Sequence, residues 1–395
     1  MIITPSSRGK SAALLIAGIL MIATTLRVTF TGAAPLLDAI RADYGLSTAQ
    51  TGLLTTLPLL AFALVSPLAA AIARRWGIER SLLAAMLLIC VGIAIRSLPS
   101  SGALFGGTAV IGCGIALGNV LLPGLIKRDF SQHVAKLTGA YSLTMGAAAA
   151  LGSAMVVPLA LNGFGWRGAL MMLMIFPLLA LLIWLPQWRQ TANASLSNSR
   201  ALHSRAIWRS SLAWQVTLFL GINSLIYYVI IGWLPAMMIS HGYSEAQAGS
   251  LHGLLQLATA APGLLIPLVL YRFKDQRTIA ALVSLMCAVG AAGFAVMPGQ
   301  AALWTVLFGF GSGATMILGL TFIGLRASSA HQAAALSGMA QSVGYLLAAC
   351  GPPVMGKIHD LNDSWQIPLV GVALLALIMA VFGVCSGRDK EIAST

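Results

Sequence analysis

Long uncharged apolar runs alternate along this chain with short polar turns, and the pattern repeats twelve times. The runs cover about Ala12–Leu37, Thr51–Ala73, Ser81–Leu98, Ala103–Ile126, Leu137–Leu161, Ala169–Leu185, Leu212–Ile239, Ala248–Leu270, Ile279–Met297, Leu303–Leu325, Ala334–Val354 and Ile367–Cys385. Lengths near ~20 residues match the thickness of a bilayer. Only helices or closed barrels satisfy their backbone in lipid, and these runs are too long and too uniformly apolar for barrel strands. The pattern predicts an all-α polytopic membrane protein with twelve transmembrane helices.

The longest polar stretch, Gln187 to Ser211, falls between the sixth and seventh runs and predicts a flexible cytoplasmic linker. It divides the chain into a six-helix bundle over 1–186, a linker over 187–211 and a second bundle over 212–395. The halves also look related. Tyr44-Gly-Leu-Ser-Thr-Ala-Gln-Thr-Gly52 aligns with His241-Gly-Tyr-Ser-Glu-Ala-Gln-Ala-Gly249 at an offset of 197 residues, and Arg75 and Arg80 meet Arg272 and Arg277 at the same offset. Gly112-Cys-Gly114 matches Gly311-Ser-Gly313 at an offset of 199. Two pseudo-repeats of six helices with a site near the midplane are an arrangement of secondary transporters.

Charge sharpens the topology. Only 8% of the 395 residues are charged, where a soluble protein carries ~25%. Of the 23 Lys and Arg, eighteen fall in segments on the side of the N-terminus, four (Arg41, Arg96, Arg167 and Lys357) in the opposite loops, and Arg27 inside a span. This bias predicts both termini in the cytoplasm. It also explains the net charge of +13 as a topology signal and not a nucleic-acid footprint. The five cysteines lie in apolar spans without a CxxC pair and read as packing residues, with no metal site. Arg8 and Lys10 before a long apolar run read as the start of an uncleaved first helix.

Arg27 is the residue that asks for a function. An arginine near the membrane centre costs ~2.5–3.5 kcal/mol on insertion scales and usually faces a bundle interior or a wet cavity. None of the ten acids is deep in a span, so no carboxylate offsets Arg27 at its depth and no carboxylate proton relay is available. The apolar spans also hold Asn119, Asn223, Tyr227, Tyr228, Gln256, Gln341 and Tyr345, which are candidate substrate contacts as well as candidate interhelical glue. His252 is the one intramembrane histidine candidate for proton coupling. Gly114 and Gly118 permit close helix approach, while Pro158, Gly351 and Pro352 permit bending. Gly351-Pro-Pro-Val-Met-Gly-Lys357 matches a P-loop only superficially, because Ile358 stands where a Mg²⁺-binding hydroxyl is needed.

Leu26-Arg27, the run Gly118-Asn-Val-Leu-Leu-Pro-Gly-Leu-Ile-Lys-Arg-Asp-Phe130, Gly232-Trp-Leu-Pro235 and the Gly242–Gly249 turn together resemble the major facilitator superfamily, within it the cyanate and 2-nitroimidazole transporter subfamily. The resemblance implies a central cavity between the two bundles, alternating access, ion-driven transport with protons as the coupling ion considered, and no cofactor. It implies a monomer in the bacterial inner membrane whose partners are a small-molecule substrate and lipid. The loop after the second span departs from the superfamily pattern. Gly77 and Arg80 are kept as gating positions, but Arg74 stands at the usual acidic position and Glu79 is a displaced acid. Export of a 2-nitroimidazole-type compound is the first functional expectation. Uptake of cyanate or another small anion is the alternative within transport; a membrane receptor or scaffold, and an intramembrane enzyme, are the alternatives outside it.

Overall fold

The computed structural model describes residues 5–130, 133–189, 204–263, 265–266, 275–328 and 330–392. Most of the predicted linker, 190–203, lies outside them. The long helices are α1 (Pro5–Thr31), α2 (Thr48–Trp76), α3 (Ile78–Arg96), α4 (Ser101–Asp129), α5 (Val134–Leu159), α6 (Gly165–Met172, then Ile175–Trp184), α7 (Ser211–Ser240), α8 (Glu245–Ala260), α9 (Arg277–Val296), α10 (Ala301–Arg326), α11 (Ala330–Asn362) and α12 (Gln366–Ser386). No strand occurs among the described residues. Each predicted run has its helix, and nine stretches of the described residues are long and apolar enough to cross a membrane by themselves.

The boundaries differ where the sequence carries breakers. The first run was expected to be one helix to Leu37, but α1 ends at Thr31. Pro35 has no N–H to continue the ladder, and Ala34–Leu36 form a 3₁₀ turn before a short helix over Leu37–Tyr44. α5 ends just after Pro158 in a wide turn over Ala160–Phe164, where Gly163 has a φ of +98°. Within the expected flexible linker, Ser204–Arg209 is helical and Ile207 is buried.

The repeat seen in the sequence is a repeated piece of backbone. Gly45 and Gly242 both adopt left-handed φ, +62° and +88°. Two residues on, Ser47 and Ser244 accept from the backbone N–H of Gln50 and Gln247, whose side chains accept from the serine N–H in return. Each half thus opens its second helix with the same capping box. Gly52 and Gly249 follow at helix crossings. A Cβ on Gly52 would lie 3.0 Å from the Pro352 carbonyl oxygen of α11, and one on Gly249 would lie 3.2 Å from the Ser153 carbonyl oxygen of α5.

The repeat continues at the opposite face, where the termini lie. Glu79 accepts from Arg128 at 2.6 Å, and Gln276 accepts from Arg326 at 2.5 Å. The displaced acid of the α2–α3 loop is therefore tied to the end of α4, and the second half repeats the tie with an amide. Gly77, between α2 and α3, has a φ of +87°, and Arg80 stacks 5.8 Å from the Trp188 ring. Arg326 was expected in a polar loop, yet it is 2% exposed and donates to the carbonyls of Ser386 (2.9 Å) and Gly387 (3.2 Å) as well. Arg128 is a quarter exposed and also pairs with Asp129. Replacing Arg326 by Met leaves the Ser386 carbonyl unmet, at a cost of ~1–3 kcal/mol. Arg326→Met is expected to lower the unfolding temperature in detergent clearly more than Arg128→Met does.

Apolar packing separates the halves. One buried core runs from Ile207 to Ile392, and two others run from Ile19 to Trp184 with Ala348 and Ala349 as the crossing residues among those described. The halves meet where α2 packs on α11 and α5 on α8. All five cysteines are free thiols; Cys287 alone is fully buried and Cys350 is exposed.

Candidate functional site

α1 and α7 bring the expected polar residues together. Arg27 is part-buried, four residues from the end of α1. It lies beside the crossing with α4, where a Cβ on Gly118 would lie 2.3 Å from the end of the Leu26 side chain and would force that side chain to move. Gly114 lies at the crossing with α3, where a Cβ would lie 2.6 Å from the Ala85 carbonyl oxygen.

From Arg27 a hydrogen-bond chain crosses into the second half. Arg27 Nη2 donates to the Tyr227 hydroxyl, which donates to Gln256 Oε1 at 3.2 Å. Gln256 is fully buried, and its Nε2 has no acceptor among the described residues. The Arg27 guanidinium also sits 5.3 Å from the Tyr227 ring centroid, within cation–π range. No acidic residue pairs with Arg27 among the described residues. One of its five N–H donors is thus committed to a neutral hydroxyl, and no protein anion answers its charge.

Aromatic rings surround this point from both halves. Tyr228 lies edge-on to Tyr227 at 5.3 Å and to Phe30 of α1 at 5.8 Å. Tyr345 of α11 meets Phe62 of α2 edge-on at 5.3 Å. Tyr228 and Tyr345 are both part-buried, and both lie within electrostatic reach of Arg27. Adjacent tyrosines on a helix point ~100° apart, and the sequence expectation was that one of Tyr227 and Tyr228 would face the cleft. Tyr227 takes the hydrogen bond and Tyr228 bridges the halves through Phe30. Phe30 and Phe62 were missed by the sequence reading, since one aromatic among many apolar neighbours carries no signal.

Other expected contacts fall elsewhere. Asn223 is 2% exposed and exchanges hydrogen bonds with Ser312 of α10, donating to its carbonyl at 3.2 Å and accepting from its hydroxyl at 3.0 Å. That pair joins α7 to α10 and holds both ends of the Asn223 amide on Ser312. Asn119 is part-buried on α4, the residue after Gly118, and makes no side-chain hydrogen bond among the described residues. Gln341 is exposed and bonds Ser337 one turn away, outside the Arg27 chain. A mostly apolar surface groove of about 680 Å³ lies between α8 and the α9–α10 turn, lined by Tyr243, Gln247, Leu254 and Leu303. It is not at Arg27.

His252, the expected coupling group, is fully buried and engaged on both nitrogens. Nε2 is 2.8 Å from the Ile231 carbonyl and Nδ1 is 2.9 Å from the Ser153 hydroxyl. A carbonyl can only accept, so Nε2 carries the proton and Nδ1 of the neutral ring accepts from Ser153. Ile231 is four residues before Pro235, which has no N–H to offer it. His252 therefore satisfies a carbonyl that the proline frees, and ties α7 and α8 to α5 of the other half.

A proline prepares the second seam too. Pro353 frees the Ala349 carbonyl, and Thr56 of α2 donates to it at 2.9 Å. Pro352 adds its own carbonyl, 3.0 Å from Trp233 Nε1. A Cβ on Gly351 would lie 2.8 Å from Val229, which holds α11 against α7. Farther toward the tip, Ala49 N–H donates to Asp360 at 3.3 Å. The contacts Thr56–Ala349, Ala49–Asp360 and Ser153–His252 cross between the halves toward the face opposite the termini.

The comparisons with known proteins agree with this architecture. The family model "Major Facilitator Superfamily" matches residues 14–349. The chain is 81% identical over 387 residues to the 2-nitroimidazole transporter of Escherichia coli (strain K12), covering 98% of each chain. It is 28% identical to the cyanate transport protein CynX of the same organism, over 92% of this chain and 96% of that one. A crystal structure of a D-xylose–proton symporter superposes with a TM-score of 0.78 at 16% identity, over 96% of this chain and 99% of the other. Relatives and fold are those of transporters and not of enzymes. The chain belongs to the Major Facilitator Superfamily and is a multi-pass membrane transporter of that type.

Proposed function

We propose that this transporter exports 2-nitroimidazole-type compounds across the bacterial inner membrane, with both termini in the cytoplasm. In this reading 1–186 and 212–395 rock against each other around Arg27, as in transporters built from repeats, and 187–211 links them. The seam closed opposite the termini corresponds to the state open to the cytoplasm.

Arg27 is the observation that carries the reading. A guanidinium presents paired N–H donors that match a planar nitro or carboxylate group bidentately. Arg27 keeps such donors available, its charge is unanswered among the described residues, and Tyr228, Phe30 and Tyr345 supply aromatic faces for a flat heterocycle. Gln256 Nε2 is a second buried donor on the same hydrogen-bond chain. Asn119, one residue after Gly118 on α4, is a neutral contact in this reading, and Asn223, held by Ser312, is not. Protons are the coupling ion considered, and His252, with both nitrogens engaged, serves the seam in place of proton transfer. The similarity to 2-nitroimidazole transporters supports the substrate class. Uptake of cyanate is the second reading, because a small anion also suits an unpaired arginine and CynX is a more distant relative.

Counterflow in proteoliposomes with 2-nitroimidazole and with cyanate, each with and without an imposed pH gradient, tests both. Exchange of 2-nitroimidazole driven by the gradient is the expected result. Exchange of cyanate alone removes the export reading, and indifference to the gradient removes proton coupling.

Rocking predicts a role for the hydroxyl of Thr56. In Thr56→Val the Ala349 carbonyl keeps no partner while the seam is closed, and it meets water once the seam opens. The ~1–3 kcal/mol cost of an unmet buried acceptor falls on the closed state alone. The closed population is expected to drop ~10-fold relative to the open one, read as faster thiol labelling of a cysteine placed at Ala49.

A further inference from the structure

A second arginine in the first half takes no part in the transport reading. Arg96 ends α3 and was expected in an exposed loop, yet it is 3% exposed. The neighbouring helix seals it, for a Cβ on Gly107 of α4 would lie 2.3 Å from the Arg96 backbone nitrogen. Nη1 donates to the Thr29 carbonyl of α1 at 3.2 Å. Thr29 lies in the last turn of α1, where carbonyls lose their helical partners and the helix end carries a charge of about −0.5. That contact uses one nitrogen and offsets part of the charge. Nε and Nη2 are sealed from solvent with no acceptor among the described residues, and no carboxylate pairs with Arg96 there.

Arg96 borders a cavity of about 20 Å³, lined also by Thr29, Thr55, Thr108, Pro58 and Ile111. About 10–15 Å³ is enough for one water-sized particle, so the space takes one and no more. The three threonine hydroxyls donate to the carbonyls of Thr25, Gly52 and Leu104 in their own helices. Carbonyls inside a helix also accept from the N–H four residues on, so each hydroxyl can turn its proton into the cavity at small cost. In an otherwise apolar lining, the polar groups are the Arg96 guanidinium, with two unmet donors, and the three threonine hydroxyls. A water molecule could accept from these groups but would leave the buried positive charge uncancelled, whereas buried charges are paired.

We propose that Arg96, with Thr29, Thr55 and Thr108, binds a single small monovalent anion, chloride being the probe of choice. The site lies outside the Arg27 cluster and joins α1, α2, α3 and α4. Thr55 precedes the seam residue Thr56, and Thr29 follows Arg27 by two residues, so the bound anion braces the helices that carry both.

Thermal unfolding of the purified protein, in sodium chloride and in sodium gluconate at equal ionic strength and without transport substrate, tests the proposal. Chloride is expected to raise the unfolding temperature by about 2–4 °C along a single-site saturation curve. Gluconate is too large for the cavity and is expected to have no such effect, and Arg96→Met is expected to abolish the chloride response. Since that variant could fold poorly, crystals of the wild-type protein grown in sodium bromide supply a second reading. An anomalous peak within hydrogen-bond distance of Arg96 supports the site. Equal unfolding temperatures in chloride and gluconate, or an ordered water beside Arg96 with no anomalous signal, overturns it.

Discussion

Transport of 2-nitroimidazole by Arg27→Ala in proteoliposomes is expected to fall ~10–100-fold. A hydrogen bond from a charged donor is worth ~1.5–3 kcal/mol, and 1.4 kcal/mol is a factor of ten. Stability is expected to move the other way. The substitution removes a charge that no acid answers among the described residues, and Tyr227 still donates to Gln256. The unfolding temperature of Arg27→Ala should therefore equal or exceed that of the wild type. Arg27→Lys keeps the charge without the planar fork, and is expected to restore only part of the rate. Tyr227→Phe removes one partner of Arg27 without touching its charge, so its loss is expected to be smaller than that of Arg27→Ala. A fall in unfolding temperature together with transport would make Arg27 a packing residue and end the substrate assignment.

Sequence reached the helices and the arginine because both rest on strong local signals. A bilayer demands ~20 apolar residues at a time, and a charge within such a run is conspicuous. The repeated Gly-x-Ser-x-x-Gln was legible as a repeat, and its structural content is a left-handed glycine followed by a capping box. What the sequence hid were the partners. Asn223 and Gln256 look equivalent as polar residues in apolar helices, but Ser312 absorbs one while the other joins the Arg27 chain. His252 is a candidate proton carrier in the sequence, and the acceptor and donor that the helix crossing gives its two nitrogens were not legible there. One signal was present and unused: a proline within a helix names the carbonyl four residues earlier as an acceptor in need of a donor. Pro235 points in this way to Ile231, and Pro353 to Ala349. Arg96 and Arg326 show the opposite failure. At the ends of apolar runs they counted as loop charges, and only tertiary packing reveals that both are buried.

The α5–α8 seam supplies the other large effect. A Cβ on Gly253 would lie 2.9 Å from the Ala150 carbonyl oxygen, and that neighbour is helical backbone, which cannot step aside as a side chain can. Gly253→Leu adds a branched side chain at this point, so the two helices cannot both keep their positions. Overpacking of this kind costs ~1–3 kcal/mol or more. As with Thr56→Val, the penalty applies to the seam when closed and vanishes once the halves part. Here it acts through steric exclusion, so the closed state should be nearly abolished. Spin labels at Ser101 and Leu361, both exposed at the face opposite the termini, are expected to report a longer distance by pulsed electron resonance in Gly253→Leu than in the wild type. Transport should fall to background, because a transporter held on one side completes no cycle. Gly253→Ala adds only the Cβ and should lie between the two in distance and rate. An unchanged distance with full transport would mean that α5 and α8 do not close against each other at Gly253, and the rocking mechanism would then need a different seam.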